Sequence, residues 1–243
     1  MSILEKHKKA WDSNEVLRYV YCKWYKQIVA DLSQKGTEQE KTVEIGSGIG
    51  SFKEFYPKCI STDIGDNPNA EMRFDAHEMP FENESVDNLV LIDVLHHLQN
   101  PLKFLGEGAR VLKKGGRLIM LEPYPSIMSR LIFGMFHREP FDFRINIYNV
   151  NQNSDKDPWE GNQAIPYLIF CKNGSKFEDD FGGAYIIRKK DFVTTLVYPV
   201  SGGFSFGPLL SGNLVSTVEK FNRITAKFPG LFAFRIYIVL EKK

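Results

Sequence analysis

Apolar positions along the chain follow two rhythms. Val16, Leu17, Val20, Trp24, Ile28 and Leu32 recur near a 3.6-residue period, so residues 1–35 read as helical, with an apolar stripe for the core or for closure over a ligand site. Asp12 with Glu15 three residues later has the pattern of a capping box, and Gly36 supplies a stop signal. From residue 42 the rhythm changes to short apolar runs separated by helical ones. These predict strands at about 42–46, 59–64, 71–75, 87–93 and 117–122, with helices near 50–56 and 101–112. The run 87–93 is almost continuously apolar, as expected of a parallel strand covered on both faces. The helix at 101–112 turns Leu102, Leu105, Ala109 and Leu112 inward, and Lys113-Lys114-Gly115-Gly116 reads as the turn into the next strand. Strands alternating with helices predict right-handed crossovers and a doubly wound α/β sheet.

After residue 123 the alternation fades. Ile127 to Phe136 and Gln163 to Cys171 read as helical, 192–198 as the next strand, Leu214 to Thr225 as a helix broken by Pro229-Gly230, and Leu231 to Glu241 as a strong strand. The stretch in between is too long to be a bare loop in a compact domain. It is rich in aromatic residues, among them Tyr124, Phe133, Phe141, Phe143, Tyr148, Trp159 and Tyr167. Two readings apply to these: the core of a small subdomain, and the lining of a pocket at the end of the sheet.

The chemistry concentrates where the first strand stops. Glu44 precedes Gly46-Ser47-Gly48-Ile49-Gly50, a strand-to-helix turn whose glycines allow positive φ and close approach of a ligand to the backbone. The dinucleotide fingerprint G-x-G-x-x-G differs here, because the third glycine comes one position early and Ser51 stands where that fingerprint wants glycine. The second strand ends in Asp63-Ile64, an acid suited to a ribose diol followed by an aliphatic face suited to adenine.

With Glu44 to Gly50 and Asp63 go three further blocks. Asp75-Ala76-His77-Glu78-Met79-Pro80-Phe81 through Asp87 resembles D-A-x-x-L-P-F-x-d-x-S-F-D. Asp93 to Pro101 resembles the v-L-h-H-L-x-d-P segment after strand four, and Arg110 to Leu118 resembles R-V-L-K-P-G-G-x-L with Lys114 in place of proline. In this order across residues 42–123, they make the chain similar to the class I S-adenosylmethionine-dependent methyltransferases, within the type 11 set. The resemblance implies an α/β fold with a mostly parallel, seven-stranded doubly wound sheet. It also implies an antiparallel last strand beside strand five and a helical, aromatic insertion after strand five. It implies S-adenosyl-L-methionine as cofactor and S-adenosyl-L-homocysteine as product. Glu44, Gly46, Ser47, Gly48, Gly50 and Asp93 are then expected around the methionine moiety, Asp63 at the ribose, and Ile64, Asp75 and Ala76 around adenine.

Because the sulfonium supplies the activation, the protein's task is to align nucleophile, methyl carbon and sulfur. If the acceptor is a hydroxyl, a base helps, and His97 and His137 are the candidates. The segments implied are an N-terminal helical part (1–40), the cofactor-binding half (41–123), an insertion covering the substrate (124–190) and the closing strands and helix (191–243). The leading expectation is a methyltransferase acting on a small-molecule or glycan-type acceptor, at oxygen rather than carbon or nitrogen. A nicotinamide-dependent oxidoreductase is disfavoured by the early third glycine and by Asp75-Ala76. A non-catalytic S-adenosylmethionine-binding module is disfavoured by the intact glycine loop and Asp63.

Composition narrows this little. The 243 residues carry a formal net charge of +1, which gives no argument for a polyanionic partner, and no nucleic acid is expected. Lys113-Lys114 and Arg188-Lys189-Lys190 read as solvated turn or strand-edge charges. Cys22, Cys59 and Cys171 are dispersed, so neither a disulfide framework nor a zinc site is indicated; no metal is expected and a reduced, cytoplasmic setting is the default. No window approaches a transmembrane span. The acceptor's identity and the oligomeric state have no signature in the sequence.

Overall fold

The computed structural model describes residues 1–33, 40–136, 139–148, 157, 159–209 and 211–243. Two helices, α1 (Ile3–Ser13) and α2 (Glu15–Ala30), open the chain within the stretch read as helical. The break falls at Asn14, whose extended backbone (φ −116°, ψ 92°) leaves the helix and whose side chain caps α2 by accepting from the Leu17 N–H. The capping box is formed by Ser2 and Glu5, whereas Asp12 and Glu15 make none. Gly36 lies outside the described residues. Every apolar residue of the predicted stripe is buried, joined by Tyr21 and Tyr25.

The strands follow as β1 (Thr42–Ile45), β2 (Ile60–Asp63), β3 (Met72–Arg73), β4 (Val86–Ile92), β5 (Leu112–Pro123), β6 (Tyr185–Val193) and β7 (Arg235–Lys242), in one seven-stranded sheet ordered β3-β2-β1-β4-β5-β7-β6. The first five run parallel, whereas β7 pairs antiparallel with both β5 and β6. Successive strand residues point to opposite faces, and this alternation sorts the core into two halves. Leu89, Leu91, Leu118, Met120, Ile236 and Ile238 face one layer, which holds Phe104 and Leu105 of α4 (Pro101–Val111). Val90, Ile119, Leu121, Tyr237 and Val239 face the other, with α2 and Phe52 of α3 (Ser51–Phe55). Arg117 to Leu121 of β5 match Asn88 to Ile92 of β4 in register, with an irregularity between Val86 and Asn88. That bulge carries Lys113 to Gly116 inside the strand, at Gly115 with φ +74°, instead of in a separate turn.

Beyond β5 come α5 (Ile127–Phe136), a turn α6 (Ile165–Tyr167) running into a π-helical turn at Leu168–Lys172, and α7 (Gly174–Phe181). The strand expected at 192–198 is displaced: β6 starts at Tyr185, and Val197–Val200 is a short helix, α8. The reason is position. β6 is the sheet edge, so Arg188, Lys189 and Lys190 are exposed within it, and its apolar signal is diluted by charges that guard the edge. Helix α9 (Val215–Thr225) precedes Pro229-Gly230, which opens a one-turn helix, α10 (Pro229–Phe232), ahead of β7. No helix among the described residues is long and apolar enough to cross a membrane.

Candidate cofactor and acceptor site

All the loops at the carboxyl ends of β1, β2 and β4 open into one cleft of about 2430 Å³, the position where doubly wound sheets bind ligands. The glycine turn is built for close approach. Gly46, Gly48 and Gly50 have φ of +70°, +51° and +75°. At Gly46 an added Cβ would stand 2.7 Å from a Val94 methyl carbon, so the loop after β4 packs directly on this backbone. Above Gly48 nothing lies within 4 Å of where a Cβ would be, which leaves that space to a ligand. The turn is held by the Ser47 N–H donating to the Thr62 carbonyl (2.8 Å), and Tyr25 on α2 meets the Ser51 hydroxyl at 2.6 Å.

Among the buried polar atoms of the cleft with no hydrogen-bond partner among the described residues are Glu44 Oε2 and Ser47 Oγ. Burial, followed by the neighbouring Asp63, pushes the Glu44 carboxyl up to about 8. An ammonium group entering here would satisfy it. Asp63 accepts from the Ile64 N–H (2.8 Å) and from Asn67 Nδ2 (2.7 Å), which also donates to the Gly48 carbonyl. Ile64 itself is 46% exposed on the cleft wall. Asp75 accepts from the His77 N–H at 2.9 Å and lies 2.6 Å from the His77 ring. Burial works against its charge, yet these contacts hold it below the usual carboxylate range. Ala76 is buried beside it. Glu44, Gly46, Ser47, Gly48, Asp63, Ile64, Asp75 and Ala76 therefore all line this cleft.

Asp93 lines the same cleft, just after β4. It has φ +58°, accepts from Tyr21 Oη at 3.2 Å, and forms an ion pair with Arg235 Nη1 at 2.8 Å. Burial raises its carboxyl, and Arg235 opposes the rise. The Arg235 guanidinium lies over the Tyr198 ring at 4.5 Å, with Trp24 and Phe133 each at 5.9 Å. Neither Tyr21 nor Arg235 stands out in the sequence, because each belongs to an element that reads as ordinary core.

The turn Leu95–His97 follows β4 and brings His96 and His97 to the same cleft. Glu122, at the end of β5, accepts from the Val94 and Leu95 N–H groups (2.9 and 2.8 Å) and binds His96 Nδ1 at 2.7 Å. His96 Nε2 meets Glu139 at 3.1 Å, and His97 Nε2 lies 3.8 Å from the other oxygen of Glu139. Burial disfavours the charged form of His96, but the two glutamates outweigh it and lift the ring to about 9. Burial and the His96 charge push His97 down to about 4. His137 lies outside the described residues. Of the aromatic set, Phe133 and Trp159 line the cleft, whereas Tyr124 and Phe143 each meet Tyr167 edge-to-face against the adjoining core. His7 of α1 meets Phe204 and Trp159 across the opening, at 4.8 and 5.8 Å.

Residues 43–120 match the family described as a methyltransferase domain. An uncharacterized protein of Methanocaldococcus jannaschii is 30% identical over 124 residues, covering 48% of this chain and 57% of that protein. The thiol S-methyltransferase TMT1B of Rattus norvegicus is 33% identical over 109 residues, covering 36% of this chain and 45% of the enzyme. The matched segment thus amounts to about half the length of these curated relatives. A SAM-dependent methyltransferase from Archaeoglobus fulgidus shares the fold over 93% of this chain and 94% of its own, with a TM-score of 0.55 at 17% identity. Motif order, the strand order with its antiparallel β7, and the matched segment agree: residues 43–120 match a methyltransferase domain, and the chain has the fold of a SAM-dependent methyltransferase.

Proposed function

We propose that this protein transfers a methyl group from S-adenosylmethionine to a small-molecule or glycan-type acceptor, at oxygen rather than carbon or nitrogen, in the cytoplasm. The observation that carries the reading is the wall from Glu44 to Asp75. A buried, partnerless carboxyl oxygen and an open space over Gly48 lie beside the acid of β2 and the Asp75-Ala76 corner. The ammonium of the cofactor would pair with Glu44, its ribose hydroxyls with Asp63, and its adenine amino group with Asp75, with Ile64 against the ring. The cofactor supplies the electrophilic methyl group; the chain's own work is alignment and exclusion of water.

The acceptor is assigned to the far side of the cleft, between the turn at His96-His97 and Trp159. His97 supports a hydroxyl acceptor. Pushed down to about 4, its ring is neutral at pH 7 with one nitrogen unprotonated, and Glu139 at 3.8 Å would stabilise the imidazolium formed on accepting a proton there. Titration with S-adenosylhomocysteine, followed by transfer of a labelled methyl group to a panel of alcohols, sugars, phenols, amines and thiols, tests both halves. Nicotinamide cofactor binding with no response to S-adenosylhomocysteine would overturn the reading. Stabilisation by S-adenosylhomocysteine without transfer to any member would favour a binding module.

A further inference from the structure

The histidine cluster that follows β4 has more donors than an ion pair needs. His96, His97 and Glu139 each offer one ligand atom, and these atoms lie within 4.8 Å of one another. They come from separate segments, the turn after β4 and the stretch after α5, so local sequence does not force them together. Two of the separations are 3.1 Å, from His96 Nε2 to Glu139 Oε2, and 3.8 Å, from His97 Nε2 to Glu139 Oε1. With metal–ligand bonds of about 2.0–2.1 Å, neighbouring corners of a tetrahedral site stand about 3.3 Å apart. These two separations, to the two different oxygens of Glu139, straddle that value, and the three ligand atoms as a set, within 4.8 Å, need draw together only slightly.

We infer that His96, His97 and Glu139 form a binding site for a divalent transition-metal cation of the zinc type. The strongest support is the support given to His96. Metal-bound imidazoles characteristically donate their second N–H to a carboxylate, which fixes the tautomer and aims the other nitrogen. His96 does this through Nδ1 to Glu122, at 2.7 Å. Glu122 is fully buried and is itself clamped by the Val94 and Leu95 N–H groups. Nε2 is thereby aimed at Glu139. The two carboxylates also balance the charge of a dication, which a buried site requires. Two imidazoles with one carboxylate suit zinc, cobalt or iron(II) better than magnesium or calcium, which take oxygen ligands.

Three protein ligands leave a coordination position for another molecule. Gly161 packs on the cluster from one side, where an added Cβ would stand 2.9 Å from Glu139 Oε2 and 3.0 Å from His97 Nδ1. All three ligands line the cleft, so the remaining position faces it. A hydroxyl or thiol bound there would lose its proton more readily. On binding, the cation would displace to solvent the proton that His96 Nε2 shares with Glu139, and it would take the His97 lone pair, so it replaces the base role of His97 instead of adding to it. The site itself does not depend on the methyl-transfer reading.

Full-length, tag-free protein, stripped with a chelator and dialysed, provides the test without cofactor. Calorimetry with Zn²⁺ alone and visible absorption with Co²⁺ alone are expected to show one cation per chain and the intense bands of a low-coordinate nitrogen–oxygen site. Glu139→Gln and His97→Ala should each weaken Zn²⁺ binding at least tenfold, and Glu122→Gln by about 10–100-fold through His96. Gly161→Ala, which adds a methyl against the cluster, serves where a ligand variant fails to fold by circular dichroism, and it should weaken Zn²⁺ binding too. Absence of stoichiometric binding by the wild type, or wild-type affinity in Glu139→Gln and His97→Ala, overturns the proposal. S-adenosylhomocysteine affinity, measured separately on the same samples, reports on the cofactor wall; its loss with intact cation binding counts only against the methyltransferase reading.

Discussion

Arg235, the first residue of β7, reaches across β5 to form an ion pair at 2.8 Å with Asp93, the residue that follows β4. The pair joins the outer half of the sheet to the loop that packs on the glycine turn. Removing one partner of a buried pair leaves an uncompensated charge. Arg235→Met is expected to destabilise the fold by ~3 kcal/mol, read from urea unfolding. A change within ±0.5 kcal/mol would mean that the aromatic contacts of Arg235 hold this corner without the charge.

Asp93 also sits at φ +58°, a region that asparagine and aspartate tolerate better than other residues with a Cβ. Asp93→Ala should therefore be less stable than Asp93→Asn by ~1 kcal/mol, because only the alanine adds backbone strain to the lost charge. Equal midpoints for the two variants would exclude strain at this position.

The glycine turn separates folding from binding. Gly46→Ala puts a methyl 2.7 Å from Val94, at positive φ, and should lower thermal stability by several degrees. Gly48→Ala meets open space, so its stability cost is limited to the φ of +51°, whereas its methyl enters the space proposed for the cofactor. Weakened S-adenosylhomocysteine binding with near-normal melting is the expected signature, read by calorimetry and differential scanning. The same affinity in Gly48→Ala and wild type would remove the cofactor from that surface.

Glu44 makes stability depend on pH with a definite sign. Its carboxyl is raised in the folded chain to about 8 from an ordinary 4.5, so the native state keeps a proton that the unfolded chain releases. Its contribution is complete below pH 4.5 and is lost as pH rises through 8. Wild type should therefore lose stability relative to Glu44→Gln across that window. If an ammonium pairs with the carboxylate, S-adenosylhomocysteine affinity should rise over the same window in wild type and stay flat in Glu44→Gln. Parallel profiles for the two proteins would contradict this account.

Asp63 anchors both its own loop and, on our proposal, the ribose. Asp63→Ala loses charge-assisted bonds worth ~1.5–3 kcal/mol, so S-adenosylhomocysteine should bind at least tenfold more weakly. Asn67→Ala loosens the loop, because Asn67 ties Asp63 to the Gly48 carbonyl, but leaves the carboxylate in place and should cost less. An Asn67→Ala defect as large as that of Asp63→Ala would assign the role of Asp63 to loop support alone.

The parallel half of the sheet was legible in the sequence because each of its signals is local. Glycines at a strand end, an acid closing the next strand and a buried apolar run all lie within a few residues of the feature they specify. The edge strand β6 was harder, since its apolar residues are spaced by the charges that protect an exposed edge. The break at Asn14 was masked by a helical rhythm that continues on both sides of it. The acceptor side is least legible of all. Glu122 reads as the end of a strand and Glu139 as one acid in an irregular stretch, and only the chain path brings both to His96. Tyr21 and Arg235 reach Asp93 from sequence separations of 72 and 142 residues, beyond any motif.

The placement of β7 between β5 and β6 sets an order of events during synthesis. This strand leaves the ribosome after all the others, yet it fills an interior position of the sheet and brings the arginine that neutralises Asp93. Until it arrives, β5 presents an open, hydrogen-bonding edge, and β6 has no neighbour through which to join the sheet. The cofactor wall can form early from β1, β2 and β4, but the pocket acquires its final charge balance only when the last strand threads into the gap. A nascent chain stalled before residue 235 would be an unfinished sheet with a sticky side.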